Sequence, residues 1–456
     1  MNRNECATLN GQDPRIAKAG KPAEAALRMH PYYRGKVQMM PKCPVRGLDD
    51  FSIWYTPGVA AVCKAIAADP LLSYQHTNRA NTIAIVSDGT RVLGLGNIGP
   101  AAGMPVMEGK ALLFKYLGGV DAIPLCVATR SADELVQFVM ALEPSFGAIN
   151  LEDISQPKCF EVLDRLRREL SIPVWHDDQQ GTATVVLAGL LNAARVVGKS
   201  LTNLRIALIG IGAANVATYR LLKASGVAPE AVIACDSQGT LHRKRGDLER
   251  RKDEFRDKWM ICEESNREQI CGGIEQALFG SDVCIAFSAS GPNVIRPEWI
   301  RGMARDPILF ACANPIPEIW PWEAQEAGAR IVATGRSDFP NQVNNSLGFP
   351  GIFRGVLDVR ARTISDAMAL AAAQELARCA AEGGLSEQRI VPRMDEPEVA
   401  ARVAAATGVA AQSSELAASN RSFEELEMLA TATIDAAHKA TAVLMREQLI
   451  APVPAE

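Results

Sequence analysis

Short apolar runs separated by turn residues recur along this chain, a pattern typical of buried strands that alternate with helices. In the first part, such runs predict strands at residues 82–86, 121–127 and 146–151. Apolar residues at helical spacing predict an amphipathic helix over residues 133–142, between the second and third strands. Helices between consecutive strands are the mark of an α/β fold.

Residues 181–197 are apolar on nearly every side, which predicts a buried helix. The polar residues 199–203 that follow are turn-like and mark a candidate domain boundary. Beyond them, a helix is predicted from Ala213, and apolar runs predict strands at residues 205–209, 231–235, 283–286, 308–311 and 329–334. This alternation predicts a Rossmann-type, doubly wound parallel sheet.

The C-terminal part is rich in alanine, and its predicted elements are helices. One helix is predicted over residues 365–381, and a capping box at residues 422–425 begins another, whereas residues 385–422 give no clear prediction. The patterns together predict four parts: a polar N-terminal tail (1–25), an N-terminal α/β domain (26–180), a Rossmann-type domain (181–385) and a C-terminal helical extension (386–456).

Composition excludes several classes of function. The 456 residues include 48 basic and 52 acidic ones, so a net charge of −4 gives no reason to expect a nucleic-acid partner. The eleven cysteines are dispersed without a CxxC pair, which indicates reduced thiols and a cytoplasmic location. Residues 1–21 lack the apolar core of a secretion signal, and no stretch of about 18 uninterrupted apolar residues occurs, so we expect no membrane partner.

Two glycine motifs compete for the role of a dinucleotide-binding loop. Residues 94–99 match the pattern GxGxxG completely, whereas residues 210–215 end in Asn215 in place of the third glycine. The pattern binds a dinucleotide only where a strand runs into the glycines and a helix runs out of them. Residues 210–215 have that context, and residues 94–99 do not, so we interpret the latter as a structural turn.

In the second motif, Gly210 and Gly212 would let the chain turn tightly and approach a pyrophosphate closely. Backbone N–H groups at the start of the helix, at Ala213 and Ala214, would bind that anion. Asn215 is expected only to weaken the packing of the helix on the strand.

The end of the next predicted strand bears on the choice of cofactor. Asp236 stands where an acidic residue accepts hydrogen bonds from the ribose hydroxyls and repels a 2′-phosphate, which favours NAD. The basic run at residues 242–245 lies just downstream and could reach such a phosphate, so NADP stays possible. Ser288, just beyond the strand at 283–286, is also expected to contact the cofactor.

Two acidic pairs follow predicted strands, at the positions where α/β proteins place ligand sites. Glu152 and Asp153 follow the strand at 146–151, and Asp177 and Asp178 follow an apolar run at residues 172–175. Carboxylates share a dry pocket only if a cation neutralises them, and oxygen ligands suit Mg²⁺ or Mn²⁺. On the pattern alone, solvated caps at strand ends are the better interpretation of these acidic pairs, and a structural residue is the better interpretation of His176.

The chain resembles the malic enzymes, specifically the short bacterial type, over roughly residues 26–385. The runs that carry the resemblance are YTPGVA (55–60), SDGTRVLGLGNIGP (87–100), PVMEGK (105–110), LED (151–153), HDDQQGT (176–182), NP (314–315) and SDFPNQVNN (337–345). The resemblance implies an N-terminal domain that binds substrate and metal, followed by an NAD(P)-binding domain. It also implies that the C-terminal helix packs back on the first domain.

The resemblance implies roles for individual residues. Lys110 would be the general base that takes the C2 hydroxyl proton of malate, and Tyr55 the general acid that protonates C3 once carbon dioxide has left. Asp177 would orient the lysine, whose pKa is expected to be lowered by partial burial beside a dication. The metal ligands would be Glu152, Asp153 and Asp178, and the contacts with substrate or nicotinamide would come from Arg91, Lys110, Asn314 and Asn345.

Each of these residues also has a plainer interpretation. Tyr55 could simply pack a turn, and Arg91 could pair with Asp88. Lys110 could lie on a helix surface, with Lys115 as the alternative base. Three positions depart from the family pattern: Gln180 where a histidine is common, Asn215 in the glycine motif, and Trp54 before the tyrosine.

The function implied by the resemblance is metal-dependent oxidative decarboxylation of malate to pyruvate and carbon dioxide with reduction of NAD(P)⁺, by a homodimer or higher homo-oligomer. A malolactic enzyme would use the same residues but retain its NAD and release lactate. A catalytically idle dinucleotide-binding regulator is the alternative from another class. Such a regulator would be expected to have lost an acid, a base or a metal ligand.

Overall fold

The computed structural model describes the backbone of residues 14–454 and the side chains of residues 21–454. The predicted polar tail lies partly outside this range, and its residues 14–25 belong to the first helix, α1 (Pro14–Tyr33). The strands of the described residues are β1 (Thr82–Ser87), β2 (Asp121–Cys126), β3 (Ala148–Leu151), β4 (Val174–His176), β5 (Ile206–Ile209), β6 (Val232–Asp236), β7 (Gly239–Thr240), β8 (Val283–Ala286), β9 (Ile308–Ala311) and β10 (Ile331–Thr334).

Helices connect most of these strands and continue to the C-terminal end. The remaining helices are α2 (Leu48–Trp54), α3 (Val59–Ala68), α4 (Ser73–His76), α5 (Pro100–Gly118), α6 (Ala132–Leu142), α7 (Lys158–Glu169), α8 (Thr182–Val196), α9 (Ala213–Ala224), α10 (Gly246–Glu249), α11 (Arg256–Glu264), α12 (Ile274–Leu278), α13 (Pro297–Ile300), α14 (Pro321–Glu326), α15 (Phe349–Asp358), α16 (Asp366–Glu382), α17 (Val399–Ser413) and α18 (Phe423–Arg446).

The first sheet contains four parallel strands in the order β2-β1-β3-β4. Both faces of β1 and β3 are buried, which explains why these strands read as continuous apolar runs instead of alternating patterns. The carboxyl ends of parallel strands meet at one edge of a sheet. The acidic residues that follow β1, β3 and β4 are therefore delivered to a common edge.

The second sheet has the order β10-β9-β8-β5-β6-β7, with every pair parallel except the short edge pair β6–β7. The chain starts in the middle at β5, moves outward to β6, then returns to the other side at β8. This reversal between β5 and β8 creates the crevice in which such sheets bind dinucleotides. The predicted α/β fold with a doubly wound parallel sheet is confirmed, and the strands predicted at 283–286 and 308–311 have the predicted bounds.

Helix α8 is buried along most of its length, as its apolar sequence predicts. It follows the last strand of the first sheet and precedes the first strand of the second, and one continuous apolar core contains residues of both sheets and of α8. The two sheets are thus held by a common core, which fixes the position of one sheet edge relative to the other.

The predicted C-terminal helix is confirmed, and its capping box forms: Ser422 Oγ accepts from Glu425 N, and Glu425 Oε2 accepts from Ser422 N. Helix α18 packs on α5 of the first part of the chain, where the ring of Tyr116 lies 4.3 Å from that of His438. Helix α17, in the segment that gave no prediction, fills the space between α15, α16 and α18.

One stretch of the described residues, Leu48–Ala68, is long and apolar enough to cross a membrane by length and composition alone. It consists of α2 and α3, interrupted at residues 55–58, and its apolar side chains lie on the surface rather than in the core. We call residues 48–68 the apolar strip.

The contact between α15 and α17 generates a stability prediction. A Cβ on Gly355 would lie 2.3 Å from the carbonyl oxygen of Ala404, so Gly355→Ala must push the two helices apart. We expect this substitution to lower the free energy of unfolding by about 1–3 kcal/mol, measured by denaturant titration.

Gly109→Ala is the matched control, because no atom lies within 4 Å of its added Cβ and the residue is inside helix α5. It should leave stability unchanged or raise it by about 0.5–1 kcal/mol. Equal stability of the two variants would show that α15 and α17 do not pack as described.

Candidate active site

A buried lysine stands at the carboxyl edge of the first sheet. Lys110, on α5, is 7% exposed, and its Nζ lies 2.5 Å from Asp177 Oδ2 and 2.8 Å from Glu152 Oε1. The same Nζ lies 4.4 Å above the ring of Phe349. The interpretation of Lys110 as a surface residue is therefore wrong, whereas Lys115 is exposed and pairs with Asp121 at 2.8 Å.

The charge state of Lys110 differs from the expectation. Burial by itself lowers the pKa of Lys110, but the attraction of Asp177 and Glu152 outweighs burial, so the pKa lies above the ordinary lysine value. The expected lowering presupposes a dication beside the lysine. In the structure, Glu152 instead directs one of its oxygens to the ammonium group.

Three carboxylates converge beside the lysine. One oxygen from each of Glu152, Asp153 and Asp178 lies within 4.8 Å of the others, the spacing of ligands around one metal ion. Glu152 Oε2 accepts from the amide of Asn150 at 2.9 Å, and Asp178 Oδ2 accepts from the backbone N–H of Asp153 at 2.8 Å. The structure thus brings together all three residues that the sequence analysis proposed as metal ligands.

The electrostatics of this cluster call for a cation. Burial raises the pKa of Glu152 well above its usual range, although Lys110 opposes the shift. Burial and the neighbouring carboxylate of Asp178 raise the pKa of Asp153 to about 8. Asp153 Oδ2 is buried and has no hydrogen-bond partner among the described residues. An oxygen-lined cluster with one oxygen unsatisfied fits Mg²⁺ or Mn²⁺.

The local backbone explains why these side chains point inward. Asp153 adopts a left-handed conformation (φ 55°) directly after β3. After β4, the chain makes a wide turn over Asp177–Gly181 before α8 begins. A Cβ on Gly181 would overlap Asp177 Oδ1, so only glycine allows Asp177 to fold back towards Lys110. Gln180 braces the same turn by accepting from His176 N at 3.0 Å.

His176 borders the carboxylate cluster, with its Nδ1 3.7 Å from Asp178 Oδ2. Its ring is fully buried, and neither ring nitrogen has a hydrogen-bond partner among the described residues. Burial lowers the pKa of His176, so the ring is neutral at physiological pH. These observations agree with a structural histidine.

The proposed substrate contacts lie around this edge. Asn345 Cβ is 3.4 Å from the position of a Cβ on Gly181, beside Asp177. The backbone N–H of Arg91 donates to Asp153 O at 3.0 Å, and its exposed side chain is free of Asp88, which pairs with Lys158 instead. The interpretation of Arg91 as the partner of Asp88 is wrong.

Asn314 lies where the two halves of the molecule meet. A Cβ on Gly94 would lie 2.1 Å from the carbonyl oxygen of Asn314, and a Cβ on Gly335 would lie 2.8 Å from its side-chain amide. Residues 94–99 form a tight turn, closed by Val92 N donating to Gly96 O at 2.9 Å. The first glycine motif thus allows one half of the chain to approach the other closely.

The second glycine motif has the expected form. Gly210 follows β5 with φ 83°, and a Cβ there would lie 2.4 Å from the carbonyl oxygen of Phe287. Helix α9 begins at Ala213, so its free N–H groups, Ala214 included, face the end of the loop. Gln156 Nε2 lies 4.0 Å from the position of a Cβ on Gly212, which places the loop after the metal-ligand candidates beside this motif.

Asn215 behaves differently from expectation. Its fully buried side-chain amide lies 2.9–3.2 Å from the carbonyl oxygens of Ile209, Gly210 and Ile285, at the ends of β5 and β8. The expectation that Asn215 only weakens packing is wrong, because its hydrogen bonds tie helix α9 to both strands at the crevice.

Asp236 is the last residue of β6, and its side chain makes two ionic contacts. Its carboxylate lies 3.0 Å from Arg245 Nη1 and 3.3 Å from Lys258 Nζ, and Arg245 also pairs with Asp247 at 2.7 Å. Of the basic run at 242–245, Arg245 is the residue that reaches Asp236. Arg243 turns away and donates to the carbonyl oxygen of Glu263.

Ser288 follows β8 and is held by a residue that sequence reasoning missed. Its backbone N–H and its hydroxyl both donate to Glu318 Oε1, at 2.8 and 3.1 Å. A buried carboxylate gives no local sequence signal, and Glu318 lies beyond the next strand. Asn150 was missed for a similar reason, since it is an ordinary strand position that supports Glu152.

Tyr55 stands apart from the other proposed catalytic residues. Its side chain is 72% exposed in the apolar strip, so it does not pack a turn, and the described residues include no hydrogen bond between Tyr55 and Lys110. A single chain therefore brings together the lysine and the carboxylates but leaves the tyrosine on the surface.

Comparison with known families identifies both halves of the chain. A family model described as malic enzyme, N-terminal domain, matches residues 34–167. A second, described as malic enzyme, NAD binding domain, matches residues 179–412. The first match contains Lys110 and the Glu152–Asp153 pair, and the second contains the glycine motif at 210–215.

Individual relatives agree with these matches. The chain is 50% identical to an NAD-dependent malic enzyme of Geobacillus stearothermophilus, over 81% of this chain and 75% of the relative. It is 46% identical to a bifunctional malic/malolactic enzyme of Bacillus subtilis, over 85% and 92% of the two chains. The crystal structure of the Entamoeba histolytica malic enzyme superposes with a TM-score of 0.94 at 44% identity, covering 99% of this chain and 95% of that one.

The role found for Asn215 can be tested by stability. Asn215→Ala leaves buried carbonyl groups without the amide and should lower the free energy of unfolding by about 1–3 kcal/mol. The control is Asn203→Ala, in an exposed turn, for which we expect a change within about 0.5 kcal/mol. If denaturant titration gives the two variants the same midpoint, the amide does not tie the helix to the strands.

Proposed function

This chain belongs to the malic enzyme family, and we propose that it oxidatively decarboxylates malate to pyruvate and carbon dioxide while reducing NAD(P)⁺. The observation that carries this proposal is a buried lysine among converging carboxylates, next to a dinucleotide-binding loop. An idle regulator would not be expected to keep a base and three candidate metal ligands in contact. The enzyme alternative is therefore favoured over the regulator.

Lys110 is proposed as the general base for the C2 hydroxyl of malate. Its Nζ is the basic nitrogen in contact with the carboxylate cluster, and Asp177 fixes its direction through the 2.5 Å contact. Arg91, Asn314 and Asn345 are proposed to hold the substrate carboxylates and the nicotinamide near that nitrogen. A bound nicotinamide would supply the acceptor for the C2 hydride, and Lys110 would take the proton of the C2 hydroxyl.

Glu152, Asp153 and Asp178 are proposed to hold Mg²⁺ or Mn²⁺, because their oxygens converge and one is unsatisfied. A bound dication would polarise the substrate oxygen and oppose the positive form of Lys110. Asn150 and the backbone N–H of Asp153 keep two of these carboxylates in place.

Tyr55 is proposed to protonate C3 after carbon dioxide leaves. It is proposed to do so within a homodimer in which each subunit contributes its Tyr55 to the site of the other subunit. Tyr55 is exposed, while Lys110 of the same chain is buried. The apolar strip around Tyr55 includes exposed Phe51, Ile53 and Trp54, a surface that a second copy of the chain would cover. The strip is proposed to place the tyrosine of one subunit at the lysine of the other.

NAD is the proposed preferred cofactor. Asp236 ends β6 and carries the negative charge that disfavours a 2′-phosphate. Arg245 and Lys258 neutralise part of that charge, so NADP is proposed as the slower alternative. A cytoplasmic location is also proposed, since the ten cysteines of the described residues are all free thiols.

Malolactic conversion is the second candidate function. The relative from Bacillus subtilis carries both activities in its name. The two outcomes differ in whether NADH leaves or reduces pyruvate to lactate in place. The site described above serves either outcome, so the products must be measured.

The role of Lys110 predicts a large kinetic effect. With malate, Mn²⁺ and NAD⁺, we expect pyruvate and free NADH from the wild-type protein and a loss of turnover of about 10²–10⁴-fold in Lys110→Ala. Binding of NAD⁺ should be retained, since the glycine motif is intact. Lys115→Ala, on the exposed side of the same helix, is the control and should keep wild-type turnover.

Lactate without free NADH would instead establish the malolactic enzyme, and an active Lys110→Ala would exclude this lysine as the base.

The exchange of Tyr55 predicts complementation between two inactive variants. Tyr55→Phe and Lys110→Ala, carrying different affinity tags, are co-expressed and the doubly tagged heterodimer is purified. If each site combines residues of both subunits, one of its two sites is intact, and activity should recover to about half of wild type. If both residues act within one chain, the heterodimer stays as inactive as each parent homodimer.

A further inference from the structure

Glu318 is a fully buried carboxylate that the proposed chemistry does not use. Its side chain is 0% exposed, and no basic side chain of the described residues lies within ion-pair distance of it. Its oxygens accept from three donors: Ser288 N (2.8 Å) and Ser288 Oγ (3.1 Å) on Oε1, and Ala313 N (3.0 Å) on Oε2. A buried charge without a counter-ion is costly, so its retention calls for an explanation.

The three donors lie on two different loops. Ser288 follows β8 and Ala313 follows β9, which are neighbouring strands at the crevice of the second sheet. Asn314 comes directly after Ala313. One carboxylate therefore links the loop of the proposed cofactor contact with the loop of the proposed substrate contact.

Simple loop closure does not require this charge. Backbone and hydroxyl groups already join the same loops, at Gly291 N to Ile316 O (3.2 Å), Ser290 Oγ to Ile316 O (3.1 Å), Ile316 N to Ser290 Oγ (3.1 Å) and Ile295 N to Glu318 O (3.1 Å). The carboxylate in addition fixes the two segments nearest the strand ends, at Ser288 and at Ala313. Asn314 is confined on its other sides by Gly94 and Gly335.

We propose that Glu318 is a positioning residue that sets the distance between Ser288 and Asn314, and thereby the position of the nicotinamide relative to the substrate. This role rests on the proposed function, because it takes Ser288 and Asn314 as contacts of the two reactants. Misplacement of reacting atoms by about 1 Å can cost about 10²-fold in rate, so a positioning residue acts on kcat more than on binding.

Glu318→Gln is the direct test. The amide offers one acceptor and one donor group, so it cannot accept from both loops at once. We expect kcat to fall about ten- to hundredfold, while the dissociation constant of NAD⁺ changes by less than about threefold. The dissociation constant of Mn²⁺ should not change, because its proposed ligands lie on the first sheet.

The matched control is Glu375→Gln, which removes a carboxylate that is also buried. In contrast to Glu318, Glu375 pairs with two arginines, Arg378 of its own helix α16 and Arg402 of α17. It should lower stability without lowering kcat. If Glu318→Gln loses stability like the control and keeps kcat within about twofold of wild type, Glu318 is structural only, and the positioning role is overturned.

A second variant keeps the proposal testable if Glu318→Gln does not fold. Glu318→Asp keeps the charge but is one methylene shorter, so it too cannot reach both loops, and a folded Glu318→Asp with unchanged kcat would overturn the role. A wild-type protein that binds NAD⁺ and Mn²⁺ but has no turnover would overturn the proposed function and this role together. An active wild type with an unaffected Glu318 variant would overturn this role alone.

Discussion

The crowding of negative charge around one lysine governs the chemistry of this protein. Four carboxylates, from Glu152, Asp153, Asp177 and Asp178, lie at one sheet edge, and Lys110 is the buried cation in contact with two of them. A single ammonium group cannot neutralise four carboxylates in a buried pocket, and burial together with the neighbouring carboxylates raises the pKa of Glu152 and of Asp153. This excess of negative charge supports the proposal that a further cation binds between Glu152, Asp153 and Asp178.

The fold positions the carboxylates of this cluster with few special features of the local backbone. Parallel strands bring the residues after β1, β3 and β4 to one edge, and a single glycine at the start of α8 lets Asp177 reach the lysine. Because one core contains residues of both sheets, the dinucleotide loop stands in a fixed relation to the carboxylates. Packing alone therefore brings the proposed sites for metal, substrate and cofactor to adjacent positions.

Local patterns predicted the parts of the structure that depend on local causes. The strands at 283–286 and 308–311 are short, apolar and bounded by turns, and both were located correctly. Helix α17 gave no prediction because alanine occupies both its buried and its half-buried positions, so no distinct apolar stripe forms. Asn215 and Glu318 each have one partner that is distant in sequence, Ile285 and Ser288 respectively, and these contacts form only once the strands are side by side.

Tyr55 shows a different limit of prediction from the sequence. Motif resemblance assigned it a catalytic role, while the folded chain leaves it exposed in the apolar strip. The motif identifies the residue type but not the site that the residue serves. The exposed strip of large apolar side chains is the observation behind the proposal that a second copy of the chain covers this surface.

We propose that Glu152, Asp153 and Asp178 form a site for one divalent cation. Electron paramagnetic resonance of free Mn²⁺, titrated into the wild-type protein and into Asp178→Asn, measures binding of the cation without reference to turnover. We expect one Mn²⁺ bound per wild-type chain and an affinity lowered at least about tenfold in the variant. Equal binding by both proteins, or no binding by the wild type, would contradict it.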